Sequence, residues 1–524
     1  MIIYQVYPRS FSDSNNDGIG DLAGIAENLG YIKKLGVDAI WISPFFKSPM
    51  KDFGYDVADY REVDPIFGTM DDFRHLLAKA KSLKLGVIVD MVISHTSEEH
   101  NWFKQSRLRQ NGKSDWYLWA DAKPDGSPPN NWVSVFGGGA WRWDAERRQY
   151  YFHSFLSSQP DLNMHHEEVQ AQVLSDMEFW LDFGVSGFRF DACNHLFQDK
   201  LLRNNPPRAD VSAALHPYGF QLHIHDQAQP EVPAFLEKIR TLLDAYGAFS
   251  LAEVGGHDSL QLMGQYTEPG RLHSAYSFAL MGPDSSAAHV RKVIETLEQS
   301  INSPDGPCYA LSNHDKPRVA SRWANGRDHA QTAKEMLALL AAMRGDICLY
   351  QGEELGLPQA DVPFERLQDP FGKVFWPNFK GRDGCRTPMP WTNRHHAGFS
   401  NVDPWLPVVD EHLPMNVESQ EARPDSVLNF AKRMIALRKA RPELSKGSIE
   451  FLDAPDGLLA FSRKFEEREM ICLFNMDLSQ RQFDMPRRVE MVLAQNAFFN
   501  GRTVVLDVSG FCFIENDRRY VNNR

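Results

Sequence analysis

Long hydrophobic runs are missing from this chain. Its longest uncharged apolar stretch, Met336 to Met343, falls far short of the ~20 residues that cross a bilayer, which excludes a membrane-spanning helix. Cysteine is scarce: Cys193, Cys308, Cys348, Cys385, Cys472 and Cys512 are the only six in 524 residues, without CxxC spacing. Reduced thiols of a cytoplasmic protein are therefore expected, rather than disulfides or a thiolate zinc site. Positive charge is in deficit, with 56 Lys plus Arg against 69 Asp plus Glu and a net charge of −13. That balance gives no basic face for nucleic acid or an anionic membrane. No basic stretch or small-residue cleavage site opens the chain before Ile2 to Tyr7, so no secretory signal is expected. Neither GxSxG nor GxGxxG occurs, which removes the nucleophile elbow of serine hydrolases and the dinucleotide fingerprint. Histidines are numerous, but His165 with His166 and His223 with His225 lack the i, i+4 spacing of a helical zinc site.

Short β-rich runs alternate with amphipathic segments. The strand candidates are Ile2–Tyr7, Ala39–Ser43, Val87–Val92, Gly187–Asp191, Phe249–Glu253, Ser274–Phe278, Tyr309–Ser312 and Ile347–Tyr350. Helical periodicity fills Leu22–Leu35, Met70–Leu83 and Lys334–Met343, and Gly36 and Gly86 stand where helix hands over to strand. Eight strands in this rhythm predict an α/β fold of the (β/α)8 TIM-barrel type. Two stretches break it. Residues 96–166, rich in Trp, Gly, Pro and Asn, read as a subdomain inserted after the third strand, and residues 353–405 as a long loop after the eighth. The barrel then comprises residues 1–95 and 167–447. From 448 to 524 short alternating strands, such as Leu458–Arg463, Met470–Asn475 and Thr503–Leu506, predict an all-β domain of the sandwich type.

The expected strand ends carry three carboxylates: Asp191 on the fourth strand, Glu253 on the fifth and Asp315 just after the seventh. One such residue is explained by helix capping; three on one barrel face point to chemistry. Cleaving a glycosidic bond needs one carboxylate ionised to attack C1 and another protonated to donate to the leaving oxygen. Arg189, two residues before Asp191 and so on the same strand face, favours the ionised form there. Glu253, after Leu251 and Ala252, is the candidate for a raised pKa.

Four strings, VIVDMVISH (Val87–His95), GFRFDACNH (Gly187–His195), LAEV (Leu251–Val254) and LSNHD (Leu311–Asp315), resemble the four signature regions of glycoside hydrolase family 13, the α-amylase superfamily. QPDLN (Gln159–Asn163) resembles its fifth. YQVYPRSF, DFGYDVADY, YQGEELGL and GRDGCRTPMPW are similar to strings of its oligo-1,6-glucosidase and α-glucosidase group. The resemblance implies Asp191 as nucleophile, Glu253 as general acid/base and Asp315 as transition-state stabiliser. It implies that His95, Arg189 and His314 hold the sugar, Tyr55 stacks on it, and Phe155 and Ala192 contribute to the substrate site. Asp52 and Arg382 would grip the 4-hydroxyl end of the terminal glucose, making a blind pocket and exo action on small α-glucosides and oligosaccharides. Retention by double displacement follows, with transfer where a sugar or alcohol replaces water. In that group the position of Ala192 is commonly Val in α-1,6 and Thr in α-1,4 enzymes; alanine predicts relaxed linkage choice. Sucrose isomerase, sucrose-active hydrolase and trehalose synthase share the same regions, and a catalytically inactive binding subunit is the reading from another class. The group's Trp-rich stretch before the first strand has no counterpart here, which implies a truncated start. A monomer or homodimer is expected.

DSNNDGIGD presents oxygens at Asp13, Asn15 and Asp17 in the one, three, five spacing of a calcium loop, with Gly18 at the sharp turn. The Ile19 carbonyl and Asp21 would complete a structural Ca2+ or Mg2+ site, which the resemblance also implies; no organic cofactor is expected. The competing reading is an Asp/Asn/Gly turn before a helix.

Overall fold

The computed structural model describes residues 1–211, 217–301, 306–485 and 489–516. Eight parallel strands, β1 (Ile2–Val6), β2 (Ala39–Ile42), β3 (Gly86–Met91), β4 (Gly187–Phe190), β5 (Phe249–Val254), β6 (Ser274–Ser277), β7 (Cys308–Ala310) and β8 (Asp346–Tyr350), form one sheet. Its order is β6-β5-β4-β3-β2-β1-β8-β7, and β6 and β7 approach each other to close the barrel. All eight lie where the sequence places them, with ends shifted by one or two residues.

Alternation along each strand sorts the side chains. Ile3, Trp41, Ile88, Leu251 and Tyr276 pack together inside the barrel, while Tyr4, Val6, Ile40, Val89, Phe188, Phe190 and Ala252 join the larger core beneath the helices. The same parity puts Asp90, Arg189 and Glu253 on the inner face.

A long helix follows each strand: α1 (Leu22–Leu35), α2 (Met70–Ser82), α3 (Glu167–Phe183), α4 (Val232–Tyr246), α5 (Ser259–Tyr266), α6 (Ala287–Ser300), α7 (His329–Ala342) and α8 (Val427–Ala440). Caps fix their ends. Asp21 accepts from the Gly24 N–H at 2.7 Å to start α1, left-handed Gly36 ends it, and Thr69 with Asp72 forms a capping box on α2. Two expectations change here. After α2 the left-handed residue is Lys84; Gly86 already belongs to β3, where a Cβ would come within 3.2 Å of the Ala39 Cβ. Helix α7 begins five residues before the expected Lys334, because Asp328 accepts from the Gln331 N–H at 2.9 Å and nucleates an extra turn.

Between β3 and α3 lie a short helix (Asn101–Arg107) and a three-stranded antiparallel sheet, packed around Trp132, Trp141 and Phe152. Beyond β8, residues 353–405 run without a strand. The C-terminal strands β9 (Ser448–Phe451), β10 (Leu458–Phe465), β11 (Arg468–Asn475), β12 (Arg481–Asp484), β13 (Glu490–Asn500) and β14 (Thr503–Glu515) form one antiparallel sheet, where the sequence called for a sandwich of short strands. One long strand accounts for the difference: β14 pairs with β12 through Thr503–Leu506 and with β11 through Phe511–Glu515, bending at left-handed Ser509. One face, with Phe461, Phe474 and Phe511, joins the barrel core; the other, with Leu473, Leu506 and Ile514, encloses its own. Residues 517–524, expected in this domain, lie outside the described residues.

Arginines tie the sheet to the barrel. Arg463 of β10, fully buried, donates to the carbonyls of Ala342 and Gly447. Arg438 of α8 donates to Ala341 at 2.9 Å and to Met343. Both therefore serve carbonyls at the C-terminal end of α7, which helix geometry leaves without intrahelical donors. All six cysteines are buried and unbridged. Among the described residues no helix is long and apolar enough to cross a membrane.

Candidate active site

A cavity of about 280 Å³ opens at the C-terminal mouth of the barrel. Asp52, Tyr55, His95, Phe155, Asp191, Ala192, Glu253, Asp315 and Arg382, all singled out in the sequence, line it. Arg189 and His314 do not; both are fully buried beneath its floor.

Arg189 organises that floor. Its Nη1 donates to Asp90 Oδ1 at 2.8 Å and to Asp191 Oδ1 at 2.7 Å, and its Nη2 donates to Glu253 Oε2 and, at 2.9 Å, meets the Tyr276 hydroxyl. One planar guanidinium thus holds three carboxyls, with those of Asp191 and Glu253 on different nitrogens, a job its fixed fork suits and a lysine could not do. The Tyr276 hydroxyl also donates to Glu253 Oε2 at 2.7 Å. Among the described residues these bonds reach only Oδ1 of Asp191 and Oε2 of Glu253, so each carboxyl keeps one oxygen for a ligand. Asp90, fully buried, takes further bonds from Trp41 Nε1 at 3.1 Å and the Tyr55 hydroxyl at 3.0 Å.

Burial pushes Glu253 up to about 7, with Arg189 opposing and the charges of Asp191 and Asp315 reinforcing the rise. Burial likewise lifts Asp191 to about 7 against the pull of Arg189. Arg189 favours the ionised form of Asp191, the direction its place on the strand implies, and burial opposes it. Two coupled carboxyls lose their protons in two steps, so the pair carries one proton over the intervening range. Asp315 behaves differently. Burial raises it, but the guanidinium groups of Arg382 and Arg386 outweigh burial and hold its carboxyl well below the usual carboxylate range. Arg382 Nη1 and Arg386 Nη2 donate to its Oδ1 at 3.1 and 2.9 Å.

His314 is sandwiched between the rings of Tyr7 and Tyr55, parallel to Tyr55 within 2° at 5.2 Å. Burial keeps it neutral. Gln5 Nε2 donates to its Nδ1 at 2.8 Å, leaving the proton on Nε2, 3.3 Å from Asp315 Oδ2. His95 is also neutral, lowered by burial to about 4, and its Nε2 lies 2.9 Å from the Tyr55 carbonyl.

At one end of the cavity Arg382 Nη2 donates to Asp52 Oδ1 at 2.7 Å. The pair is no surface salt bridge: Asp52 is 4% and Arg382 9% exposed. Fully buried Asp369 accepts from the same guanidinium at 2.8 Å, and Gln159 Nε2 donates to Asp52 Oδ2 at 3.2 Å. Ala192, beside Asp191, adopts left-handed φ 41° and ψ 48°, turning the chain into the cavity wall.

Phe136, Asn194, Tyr218, Gln227, Phe278, Lys316 and Phe371, which sequence reasoning did not single out, also line the cavity. Asn194 lies within GFRFDACNH and Lys316 directly follows LSNHD, so both were within reach. Phe136, Tyr218 and Phe371 come from long excursions whose return to the cavity leaves no periodic signal.

In DSNNDGIGD the oxygens serve the turn. Asp13 Oδ1 accepts from the Asn16 N–H at 2.7 Å and Oδ2 from Gly18 at 2.8 Å, Asn15 Oδ1 accepts from the Asp17 N–H at 2.9 Å, and Asp17 Oδ1 from Ile19 at 2.8 Å. Asp21, while capping α1, also accepts from the Ser14 N–H at 2.9 Å. Gly18 is required, since a Cβ there would lie 2.4 Å from the Asp403 carbonyl oxygen. Among the described residues no three His, Cys, Asp or Glu side chains gather as a metal set. The donors are nonetheless all oxygen, as Ca2+ or Mg2+ requires.

A closed parallel barrel with acidic groups converging at its C-terminal mouth defines a barrel-type carbohydrate enzyme fold, and the family model for the alpha amylase catalytic domain matches residues 5–447; the chain belongs to that family. Within it, the chain is 49% identical over 500 residues to a probable alpha-glucosidase of Rhizobium meliloti (strain 1021), covering 93% of this chain and 90% of the relative. It is 34% identical to an oligo-1,6-glucosidase of Heyndrickxia coagulans, covering 93% of each. A solved alpha-glucosyl transfer enzyme superposes with a TM-score of 0.95 at 49% identity, covering 98% of each chain. An isomaltulose synthase from Erwinia rhapontici superposes at 0.90 with 30% identity, again over 98% of each.

Proposed function

We propose that the protein is a retaining, exo-acting α-glucosidase that releases terminal glucose from short α-glucosides and transfers it to sugar or alcohol hydroxyls. The observation that carries this reading is the buried Asp52–Arg382–Asp369 clamp at one end of a cavity whose floor holds Asp191 and Glu253 on one guanidinium. The clamp leaves room for one sugar end. On the other side the lining continues through Gly255 and Gly256, two and three residues after Glu253, so the leaving group sits on the Glu253 side and Glu253 is the acid.

Asp191 Oδ2 attacks C1 as Glu253 protonates the departing oxygen; Glu253 then takes a proton from water or an acceptor hydroxyl as that oxygen displaces the Asp191 ester. A retaining site needs carboxyls ~5 to 5.5 Å apart, which a shared guanidinium supports. Asp315, held ionised, stabilises the positive charge that develops at C1. Arg189 acts on the sugar through the carboxyls it holds, and His314 backs the Tyr55 ring; Tyr55, His95 and Phe155 face the sugar. Activity should fall as pH rises above ~7, where Glu253 loses the proton it must donate; a basic limb that stays flat to pH 9 would contradict this assignment.

Incubation with maltose, isomaltose, sucrose and trehalose, with products followed by chromatography and the first-formed anomer by NMR, tests the function. α-Glucose from a terminal unit is expected. Isomaltulose or trehalulose as the main sucrose product would place the chain with the isomerases, and β-glucose would exclude retention.

Linkage choice should depend on Ala192. Ala192→Val should raise the isomaltose-to-maltose ratio and Ala192→Thr lower it, within the roughly 10- to 200-fold that one or two atoms at an acceptor wall provide. Both side chains are β-branched at positive φ, so both should also lower the melting temperature, while Ala192→Gly should not. Unchanged ratios in two folded variants would place specificity elsewhere.

A divalent ion at the α1 loop is part of the same reading. Asp13, Asn15, Asp17, the Ile19 carbonyl and Asp21 would hold Ca2+ or Mg2+, which would stiffen the loop and take no part in the reaction. Chelation should then lower the melting temperature of metal-loaded protein; protein shown by elemental analysis to carry no metal, and indifferent to added Ca2+ or Mg2+, would leave the turn reading alone. A cytoplasmic location is supported by the six unbridged thiols, and a monomer or homodimer is our reading of the assembly.

A further inference from the structure

A second, larger cavity of about 570 Å³ adjoins the first, sharing Tyr218, Gln227, Gly255, Gly256 and Phe278 in its lining. It therefore begins on the Glu253 side, where the leaving group departs and an acceptor enters. Its charges are one-sided. Lys316 stands at the junction with its ammonium 4.7 Å from the centre of the Phe278 ring, and Arg208 and Lys292 lie on the walls beyond. Among the described residues the only carboxylate in that lining is Asp258, 72% exposed and 4.0 Å from His257. Lys316 faces the charges of Asp315 and Glu253, whereas among the described residues Arg208 and Lys292 take part in no ion pair with a carboxylate. A chain of net charge −13 thus places two cations without a carboxylate partner on the route out of its active site, beyond Lys316.

We infer that the acceptor side of this site selects an anionic acceptor, a sugar or polyol carrying a carboxylate or phosphate, over its neutral counterpart. The inference rests on the glucosyl-transfer reading and names its acceptor class. Neutral hydroxyl acceptors need no cations, and an ammonium and a guanidinium without carboxylate partners beside a cavity favour an added anion. The step is unchanged by the charge. The acceptor hydroxyl oxygen bonds to C1, the C1–Asp191 ester bond breaks, and the hydroxyl proton passes to Glu253.

The test uses the whole enzyme with 4-nitrophenyl α-glucoside as donor and acceptors supplied in equal pairs: glucose against glucuronate, and glucose against glucose 6-phosphate. Nitrophenol release counts every glucosyl-enzyme formed, and the part that the transfer products do not account for is hydrolysis. At low ionic strength the anionic member of at least one pair should be favoured by about three- to ten-fold, as expected for partly exposed charge pairs, and the preference should shrink in 0.5 M NaCl as screening shortens the reach of the cations. Which pair responds distinguishes carboxylate from phosphate. Lys316→Met, and separately Arg208→Gln with Lys292→Gln, should each reduce the anionic-to-neutral product ratio several-fold. The ratio is internal to each reaction, so a partial loss of folded enzyme does not change it. Equal or better use of glucose in both pairs, with hydrolysis intact, overturns the inference and leaves the α-glucosidase reading standing. Absence of hydrolysis and transfer together overturns that reading first.

Discussion

Asp191→Asn should lower kcat on every α-glucoside by about four orders of magnitude, because an amide cannot form the glycosyl ester on which double displacement depends. Folding should survive: the amide is isosteric with the carboxylate, and its removal takes a like charge away from Glu253 and Asp315. Initial rates beside a thermal melt check both halves. Glu253→Gln gives a contrasting pattern. Aryl glucosides with good leaving groups need little protonation, so their first step should fall far less than maltose cleavage. A folded Asp191→Asn enzyme within tenfold of wild type would mean that another group attacks C1.

Arg189→Met should have the largest effect on stability. The guanidinium has no solvent exposure and contacts Asp90, Asp191, Glu253 and Tyr276. Removing it leaves buried carboxylates without their counter-ion, a change that costs about 3 to 5 kcal/mol. The loss should depend on pH. With Arg189 gone, burial raises the carboxyl pKa values further, so the native state keeps protons that the unfolded chain has released above ~4. Native proton retention means stability falls as pH rises through that window. Urea unfolding of the variant should therefore show a larger deficit at pH 8 than at pH 5. A deficit under 1 kcal/mol at both values would show that the carboxyls do not depend on this cation.

The strands were legible because each is a short β-rich run between turn residues, and the three carboxylates because strand ends in a barrel share one face. The Asp52–Arg382 contact spans 330 positions, which no local pattern reveals; only resemblance brought those residues together. Arg189 shows the limit of reading by position. Parity on the strand placed it beside Asp191, but not that Glu253 and Asp90 would reach the same guanidinium from neighbouring strands, or that this arrangement would put it below the floor. Local rules also misjudged α7, where Asp328 offered a cap that the apolar pattern alone did not register. The C-terminal sheet was read as separate short strands because the bend at Ser509 looks, in sequence, like a turn between two of them.

The family match ends at residue 447, but the physical unit does not. The last carbonyls of α7 find donors in Arg463 and Arg438, and α7 leads directly into β8, the strand that joins β7 to β1. The barrel is consequently not a cassette that can be cut out or exchanged. A gene ending at 447 would encode a helix with Ala342 deprived of its donor and a core stripped of Phe461, Phe474 and Phe511. Sheet and barrel should melt in a single cooperative transition, and chimaeras should tolerate a foreign C-terminal domain only where it brings an arginine to the same helix end.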